Sequence, residues 1–169
     1  MQSPDLDAAR VAAAAAVHRL VDRRETCATA ESLTGGLLAS TIVEIPGVSG
    51  VYRGGVVVYA TDLKHVLAGV PEELLADRGA VDADVALALA EGARQRCVAD
   101  WGMATTGVAG PDPQDGKPVG LVFVAVAGPS GATVRELRID GNRAVIRTES
   151  VTRVLQLLVE RLQEASAPA

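Results

Sequence analysis

The sequence predicts an α/β fold with three layers, in which helices cover both faces of a five-stranded mixed sheet. Short apolar segments of strand length alternate with amphipathic segments of helix length along the chain. The first three strands are separated by helical segments, which indicates right-handed crossovers between parallel strands. The last two strands are separated only by Pro129-Ser130-Gly131, which is too short for a crossover, so they must be antiparallel. The predicted strand order is 2-1-3-4-5, with strand 4 antiparallel.

Cap and turn residues set the bounds of the predicted elements. Ser3, Pro4 and Asp5 suit an N-cap, a first helical position and an early acidic position, so the first helix begins there. Gly54-Gly55 inside the second strand predicts a bulge or a close approach of another backbone. The predicted helices span residues 4–22, 34–44, 61–68, 71–79, 82–98 and 143–164, with Thr61, Asp82 and Asn142 as caps. The predicted strands span residues 26–30, 51–59, 102–106, 120–127 and 133–139.

Composition excludes several classes of protein. With 169 residues, 49% of them hydrophobic, the chain is predicted to be one domain over residues 1–169 with a substantial core. A net charge of −5 and no basic run longer than two arginines argue against a nucleic-acid partner. The amino terminus lacks the features of a secretory signal, and the longest apolar run, residues 11–17, is too short to cross a membrane. We therefore expect a cytoplasmic protein with no membrane partner; whether it forms a homo-oligomer is left open.

The cysteines and histidines do not form a recognisable metal site. Cys27 and Cys97 have neither metal-like nor disulfide-scaffold spacing, and both are expected to be reduced and buried. His18 lies on the first helix, and His65 adjoins Lys64 but should point elsewhere, so neither suits a Ser–His–acid triad. No bound metal or cofactor is expected.

A serine at a strand-to-helix junction is the most informative feature of the sequence. Ser32 follows the first predicted strand directly, where its hydroxyl would be lifted off the sheet edge. Thr34, Gly35 and Gly36 come next, and their backbone N–H groups could stabilise an oxyanion. One short turn could therefore hold both a nucleophile and its oxyanion hole, although such a turn alone can also be merely a tight helix start.

Two further motifs should reach the same sheet edge. Tyr59 ends the second predicted strand, with Lys64 on the next helical turn, and a threonine–glycine loop including Thr105, Thr106 and Gly107 follows the third strand. A lysine alone is most often a solvated helix charge, and such loops are weakly specific. The chain has fourteen arginines and only two lysines, however, and lysine can act as a base where arginine cannot. Their convergence with Ser32 predicts a Ser–Lys hydrolase in which Tyr59 relays the proton or orients the serine.

These segments, in this order, resemble the CinA carboxy-terminal domain family, which includes stand-alone nicotinamide-nucleotide amidases. The resemblance covers residues 25 to about 150. It rests on Ala30-Glu31-Ser32-Leu33-Thr34-Gly35-Gly36, Gly54-Gly55-Val56-Val57-Val58-Tyr59, Lys64, Gly79-Ala80-Val81, Ala90-Glu91-Gly92-Ala93-Arg94, Thr106-Gly107-Val108-Ala109-Gly110-Pro111, Lys117-Pro118-Val119-Gly120, Gly141-Asn142-Arg143 and Arg147. The amino-terminal domain that resembles a molybdopterin-binding fold in longer CinA proteins is not expected here. The sequence departs from the family pattern at residues 112–116, where a glycine-rich stretch is usual, and at Asn142, where aspartate is usual.

The resemblance implies metal-free hydrolysis of nicotinamide mononucleotide to nicotinic acid mononucleotide and ammonia. Ser32 would be the nucleophile, Lys64 the general base and Tyr59 an assisting group. The substrate phosphate needs cationic or N–H partners, for which Arg143, Arg147 and the 105–107 loop are candidates. Two alternatives stay open: a non-catalytic nucleotide-binding module, and an amidase for another small amide.

Overall fold

The computed structural model describes residues 4–166 and has the predicted three-layer α/β/α architecture. Its sheet has the order β2-β1-β3-β4-β5, and β4 is antiparallel to both of its neighbours. The predicted fold class is confirmed. The strands are β1 (Cys27–Glu31), β2 (Tyr52–Val57), β3 (Trp101–Gly107), β4 (Leu121–Gly128) and β5 (Gly131–Arg138). The helices are α1 (Leu6–Arg23), α2 (Leu37–Val43), α3 (Thr61–Ala68), α4 (Glu72–Arg78), α5 (Ala83–Arg96) and α6 (Arg143–Ser166).

The two faces of the sheet carry two separate hydrophobic cores. The first lies under α1, α2 and α6, and the second lies under α3, α4 and α5. Strand β4 shows why both form: Val122, Val124 and Val126 face the first core, while Phe123 and Ala125 face the second. A central strand buried on both faces reads as a continuous apolar run, because successive side chains point to opposite sides.

Helix α5 packs unusually close to the sheet because small residues line the contact. A Cβ at Gly102 on β3 would lie 2.0 Å from the carbonyl oxygen of Ala90 on α5. A Cβ at Gly92 would lie 1.9 Å from the carbonyl oxygen of Ala68, at the end of α3. These glycines let α5 and α3 lie tightly against their neighbours, which holds α3 in place at the sheet edge.

The glycine pair in β2 confirms the predicted irregularity. The pairing of β1 with β2 shifts register where Cys27 faces Tyr52 and Ala28 faces Gly54, so Arg53 is the extra residue of a bulge. A Cβ at Gly55 would lie 2.1 Å from the Oγ1 of Thr29. Glycine is therefore required there by close approach as well.

Several predicted bounds are corrected by local geometry. Asp5 is the N-cap of α1, its carboxylate accepting from the Ala8 N–H at 3.0 Å; Ser3, the predicted cap, lies outside the described residues. Thr61 is the first residue of α3 and not its cap, which is Ala60. Helix α2 begins at Leu37, three residues late, because Gly35 and Gly36 have φ values of 57° and 101° that an α-helix cannot contain.

Burial of the two cysteines differs. Cys27 is fully buried, and burial raises the pKa of its thiol to about 12. Cys97, which was expected to be buried, is only partly buried because it ends α5 near the protein surface. Within residues 4–166, no helix combines the length and the hydropathy needed to cross a membrane.

Candidate active site

A buried lysine contacts the hydroxyl of Ser32 at the carboxyl end of the central strands. The Nζ of Lys64 lies 3.0 Å from the Oγ of Ser32. Lys64 is 1% exposed and Ser32 is 8% exposed, so the pair opens to solvent only on the serine side. The two residues are 32 positions apart, and the pairing of β1 with β2 brings them together.

Main-chain pairing fixes this distance. The carbonyl oxygen of Glu31 accepts from the Val58 N–H at 2.8 Å, and the Val58 carbonyl oxygen accepts from Lys64 Nζ at 2.8 Å. On the other side of β1, the Ser32 N–H donates to the Thr105 carbonyl oxygen at 3.0 Å. Ser32 and Lys64 are therefore both anchored to backbone that is continuous with the sheet, which gives a preorganised pair.

The surroundings of Lys64 suit a neutral amine. Burial lowers the pKa of its ammonium group to about 8, from an ordinary value of about 10.4. Carbonyl oxygens lie 2.8 Å (Val58) and 3.4 Å (Tyr59) from Nζ. A neutral amine has two N–H donors and one lone pair; if the two carbonyls take the donors, the lone pair faces the Ser32 hydroxyl. This is the arrangement a general base requires.

The turn after Ser32 presents a free backbone N–H. Residues 32–35 form a tight turn in which the Gly35 N–H donates to the Ser32 carbonyl oxygen at 3.1 Å, so the Gly35 N–H is not available to a substrate. The N–H groups of Leu33, Thr34 and Gly36 have no acceptor within residues 4–166; of these three residues, Leu33 is the one that lines the pocket beside Ser32. The residue after the nucleophile is a common source of an oxyanion-hole N–H, so the best placed donor is at Leu33 rather than within 34–36.

The carboxylate of Glu31 occupies the amino terminus of α2. It accepts from the Leu38 N–H at 2.8 Å, the Ala39 N–H at 3.1 Å and the Thr34 hydroxyl at 2.7 Å. Glu31 is 1% exposed. Since an internal anion already satisfies these donors, the helix terminus is not open to a substrate anion. The first turn of the helix, predicted as part of the oxyanion hole, serves as the cap of a buried carboxylate.

A pocket opens directly above Ser32. Lys117, in the loop after β3, links that loop to residues 78–81, its Nζ donating to the carbonyl oxygens of Arg78 (3.0 Å) and Val81. The walls come from the turn after β1, from residues 80–81 and from the loop after β3. The lining residues are Ser32, Leu33, Tyr59, Ala80, Val81, Thr106, Gly107, Val108, Ala109, Gly110, Asp112, Gln114 and Arg143.

Tyr59 and Arg143 meet across the mouth of this pocket. The Nη2 of Arg143 donates to the Tyr59 hydroxyl at 3.1 Å, and its Nη1 donates to the Gly110 carbonyl oxygen at 2.6 Å. Tyr59 is 61% exposed, and its side chain has no hydrogen bond to Ser32 or Lys64 among the described residues. Only its main-chain carbonyl reaches Lys64, so this geometry does not support the predicted relay through the phenol.

The other predicted substrate-binding residues divide into two groups. Thr106 and Gly107 line the pocket, although the Thr106 hydroxyl donates to the Ala80 carbonyl oxygen at 2.7 Å. Thr105 is fully buried, its Oγ1 lying 2.8 Å from that of Thr34, which is also fully buried. Thr34, Gly35 and Gly36 shape the turn, and Arg147 binds its carbonyl oxygens from behind.

No metal site accompanies these residues. In the described part of the chain, no three His, Cys, Asp or Glu side chains are grouped so that they could hold a metal ion. His65 is engaged away from the pocket, with its Nδ1 2.8 Å from the Val70 carbonyl oxygen.

Sequence reasoning missed Leu33, whose N–H is the best placed oxyanion donor, and three polar residues around the site. Asp112 and Gln114 line the pocket, and Glu31 supports the turn from inside. A signal for Glu31 was present, because this charged residue directly follows the predicted strand 26–30; in the structure it ends β1, which is buried throughout. Asp112 and Gln114 lie in the stretch that departs from the family's glycine-rich pattern.

Comparison with known proteins places this chain in a family. The CinA C-terminal domain model matches residues 9–162. A CinA-like protein of Frankia casuarinae is 50% identical over 139 residues, which are 82% of this chain and 32% of that protein. A CinA-like protein of an Anaeromyxobacter species is 50% identical over 145 residues, covering 84% and 35%. The chain thus spans about a third of the length of the curated relatives it matches.

Solved structures agree in fold. A competence/damage inducible protein of Agrobacterium tumefaciens superposes with a TM-score of 0.88 at 36% identity, covering 96% of this chain and 99% of that one. A CinA superfamily protein of Escherichia coli superposes with a TM-score of 0.87 at 30% identity, covering 95% and 94%. The chain belongs to the CinA family and corresponds to its carboxy-terminal domain.

Proposed function

We propose that this domain hydrolyses the carboxamide of nicotinamide mononucleotide, giving nicotinic acid mononucleotide and ammonia. The observation that carries the proposal is the 3.0 Å contact between Lys64 Nζ and Ser32 Oγ in a buried site that opens into a pocket. The nucleotide amide is the substrate implied by the resemblance to nicotinamide-nucleotide amidases. The names of the relatives and structures reported above state no activity.

The reaction follows from the roles of the two side chains. The Ser32 oxygen forms a bond to the carboxamide carbon while its proton passes to the neutral amine of Lys64. The resulting ammonium returns the proton to the leaving nitrogen, the C–N bond breaks, and ammonia departs. Water then forms a bond to the ester carbon on Ser32 as Lys64 takes its proton; the bond from that carbon to Ser32 Oγ breaks, Lys64 returns the proton to Oγ, and the acid leaves. The Leu33 N–H stabilises the oxyanion in both halves.

Substrate binding is assigned to the mouth of the pocket. Arg143 is the arginine among the pocket-lining residues, and its guanidinium is exposed enough to meet a phosphate. A phosphate would compete with the Tyr59 hydroxyl and the Gly110 carbonyl for its N–H groups, and a doubly charged anion is the stronger acceptor. Thr106 and Gly107 would contact the substrate from the opposite wall.

Incubation of the purified protein with nicotinamide mononucleotide tests the proposal. We expect ammonia release at a rate proportional to enzyme concentration. Ser32→Ala should abolish turnover while keeping the fold and ligand binding, because it removes one oxygen from the turn. Ammonia release by a Ser32→Ala preparation free of host amidase would exclude the serine nucleophile.

The same assay separates the alternatives. A non-catalytic nucleotide-binding module would bind the mononucleotide without releasing ammonia from it or from other amides. An amidase for a different small amide would leave the mononucleotide intact but hydrolyse another carboxamide through Ser32. Either result would replace the proposed substrate, and only the first would remove the enzymatic function.

A further inference from the structure

Arg147 stands at the end of a chain of hydrogen bonds that leads through two peptide groups to the candidate oxyanion donor. Its Nη2 donates to the Thr34 carbonyl oxygen at 2.9 Å. That carbonyl shares a peptide group with the Gly35 N–H, which donates to the Ser32 carbonyl oxygen at 3.1 Å. The Ser32 carbonyl in turn shares a peptide group with the Leu33 N–H, which has no acceptor within residues 4–166.

A second contact fixes the guanidinium behind the turn. The Nε of Arg147 donates to the Leu33 carbonyl oxygen at 2.9 Å. The two donors of one planar group thus hold two consecutive carbonyls, a forked contact that a lysine cannot reproduce. Arg147 is half-buried and is not among the residues that line the pocket, so it approaches the turn from the side away from the substrate.

The chain of bonds has an electrostatic direction. Hydrogen bonds in series polarise one another, and a charged donor at one end strengthens the next bonds in the series. Here the positive charge lies at the carbonyl end of two peptide groups, and the free N–H of Leu33 lies at the other. Polarisation in this sense makes the Leu33 N–H a stronger donor toward an oxyanion, while Arg147 stays out of the pocket.

We propose that Arg147 is a positioning residue of the oxyanion hole, which orients the 32–35 turn and polarises the Leu33 N–H, rather than a ligand of the substrate phosphate. The inference rests on the proposed serine chemistry, but it does not depend on which amide is the substrate. It predicts that loss of Arg147 slows any attack by Ser32 that develops negative charge on an oxygen at the oxyanion hole.

A fluorophosphonate reagent tests this without the nucleotide. Ser32 Oγ forms a bond to phosphorus, the P–F bond breaks, fluoride leaves, and the serine proton passes to Lys64. Intact-protein mass spectrometry gives the second-order rate constant of labelling. We expect Arg147→Gln to lower it at least about tenfold, part of the roughly 10²- to 10³-fold effect of losing an oxyanion-hole donor. Arg147→Lys should fall between wild type and Arg147→Gln, and millimolar guanidinium should restore part of the rate in Arg147→Ala.

Arg153→Met is the matched control, because Arg153 lies on the same helix, is exposed, and within residues 4–166 pairs its guanidinium with Glu149 alone. Its labelling rate should equal that of wild type. Thermal melting checks that each variant is folded; if Arg147→Gln does not fold, the slower labelling expected for Arg147→Lys decides the question.

The outcomes separate the two proposals. Labelling of Arg147→Gln within twofold of wild type would overturn the positioning role, and would return Arg147 to substrate binding if KM for the mononucleotide rises in this variant while kcat holds. Absence of Ser32 labelling in the wild type would contradict both this inference and the serine mechanism. Labelling that depends on Arg147 in a protein that does not hydrolyse the mononucleotide would refute only the proposed substrate.

Discussion

Burial and hydrogen bonding to carbonyl oxygens both act on the amine of Lys64. Burial disfavours its charge, whereas the carbonyls of Val58 and Tyr59 can accept hydrogen bonds from either protonation state. The net result is an amine whose pKa of about 8 leaves roughly a tenth of it neutral at pH 7. A pKa this close to neutral pH suits a general base, because the amine must first accept the serine proton and then return it to the leaving nitrogen.

Lys64→Arg should lower kcat at least about 10²-fold, the scale of general-base catalysis, with little change in substrate affinity. Guanidinium keeps the positive charge but cannot accept a proton near neutrality. Steady-state kinetics with the mononucleotide measures both quantities. The wild-type pH–rate profile should have an ascending limb centred near pH 8. A kcat near that of wild type in the arginine variant would assign Lys64 to binding and leave the base unidentified.

The same pKa has a consequence for stability. The folded protein holds the Lys64 proton with a pKa of about 8, and the unfolded chain with a value of about 10.4. Between these values the unfolded state binds more protons, so this group makes the free energy of unfolding rise with pH from about 8 to about 10. Below pH 8 both states are protonated, and the destabilisation from burying the charge is constant.

Urea denaturation of wild type and Lys64→Met between pH 7 and 10 isolates this effect, since all other groups titrate in both proteins. The free energy of unfolding of the wild type, minus that of the variant, should increase as the pH rises. A difference that does not change with pH would mean that the pKa of Lys64 is not lowered in the folded protein.

Residue-level prediction reached Ser32 and Lys64 through their convergence at one sheet edge, and the structure brings their polar atoms together. It placed the Tyr59 side chain differently. The predicted strand ran to residue 59, but β2 ends at Val57, and the chain then turns so that the phenol faces Arg143. Side-chain direction after a strand depends on where pairing stops, which local sequence does not specify.

At the scale of elements, the carboxylate of Glu31 links the end of β1 to the start of α2. Glu31 ends the strand, and its side chain binds two N–H groups at the start of the helix and the hydroxyl of Thr34. The same residue therefore connects the sheet, the turn that carries Ser32 and the helix beyond it. A carboxyl group with two acceptor oxygens suits three donors in a buried place.

Glu31→Gln should lower the free energy of unfolding by about 1–3 kcal/mol, the range for leaving buried donors poorly satisfied. The amide has a single acceptor oxygen, and its NH₂ group must face a donor. Urea denaturation measures the loss. Glu44→Gln is the control, because Glu44 follows α2 at its other end and makes only an exposed ion pair with Arg10; its effect should stay within about 0.5 kcal/mol. Equal stability of the two variants would show that the buried contacts of Glu31 contribute little.

The late start of α2 shows the limit of prediction for an element. The predicted helix began at Thr34, where an amphipathic segment follows the first strand. What the spacing could not fix is that Gly35 and Gly36 both adopt positive φ, which inserts a turn before the helix. Glycine permits this conformation without requiring it. The contacts that hold the turn come from Glu31, at the end of β1, and from Arg147, on α6 near the end of the chain.

Across the whole molecule, the topology assembles the site from three connections. The turn after β1 carries Ser32, the segment after β2 carries Lys64, and the loop after β3 forms the facing wall of the pocket. These strands are adjacent and parallel, so their carboxyl ends meet at one edge. This part was predictable, because crossover length and handedness restrict the order. The contacts of Arg143 with Tyr59 and Gly110, and of Arg147 with the turn, were not predictable, since α6 is the last element and its register depends on the first core.

Treatment with EDTA tests whether the site hydrolyses its substrate without a metal ion. We expect ammonia release from the mononucleotide to persist after incubation with chelator and removal of the chelated ions. The reason is that a buried serine–lysine pair and a polarised N–H supply the nucleophile, the base and the oxyanion donor, and that no group of metal-ligating side chains occurs among residues 4–166. Thermal melting before and after treatment controls for unfolding. Loss of activity on chelation that a divalent metal ion restores would overturn the Ser–Lys mechanism, because Lys64 would then not be the group that activates the attacking oxygen.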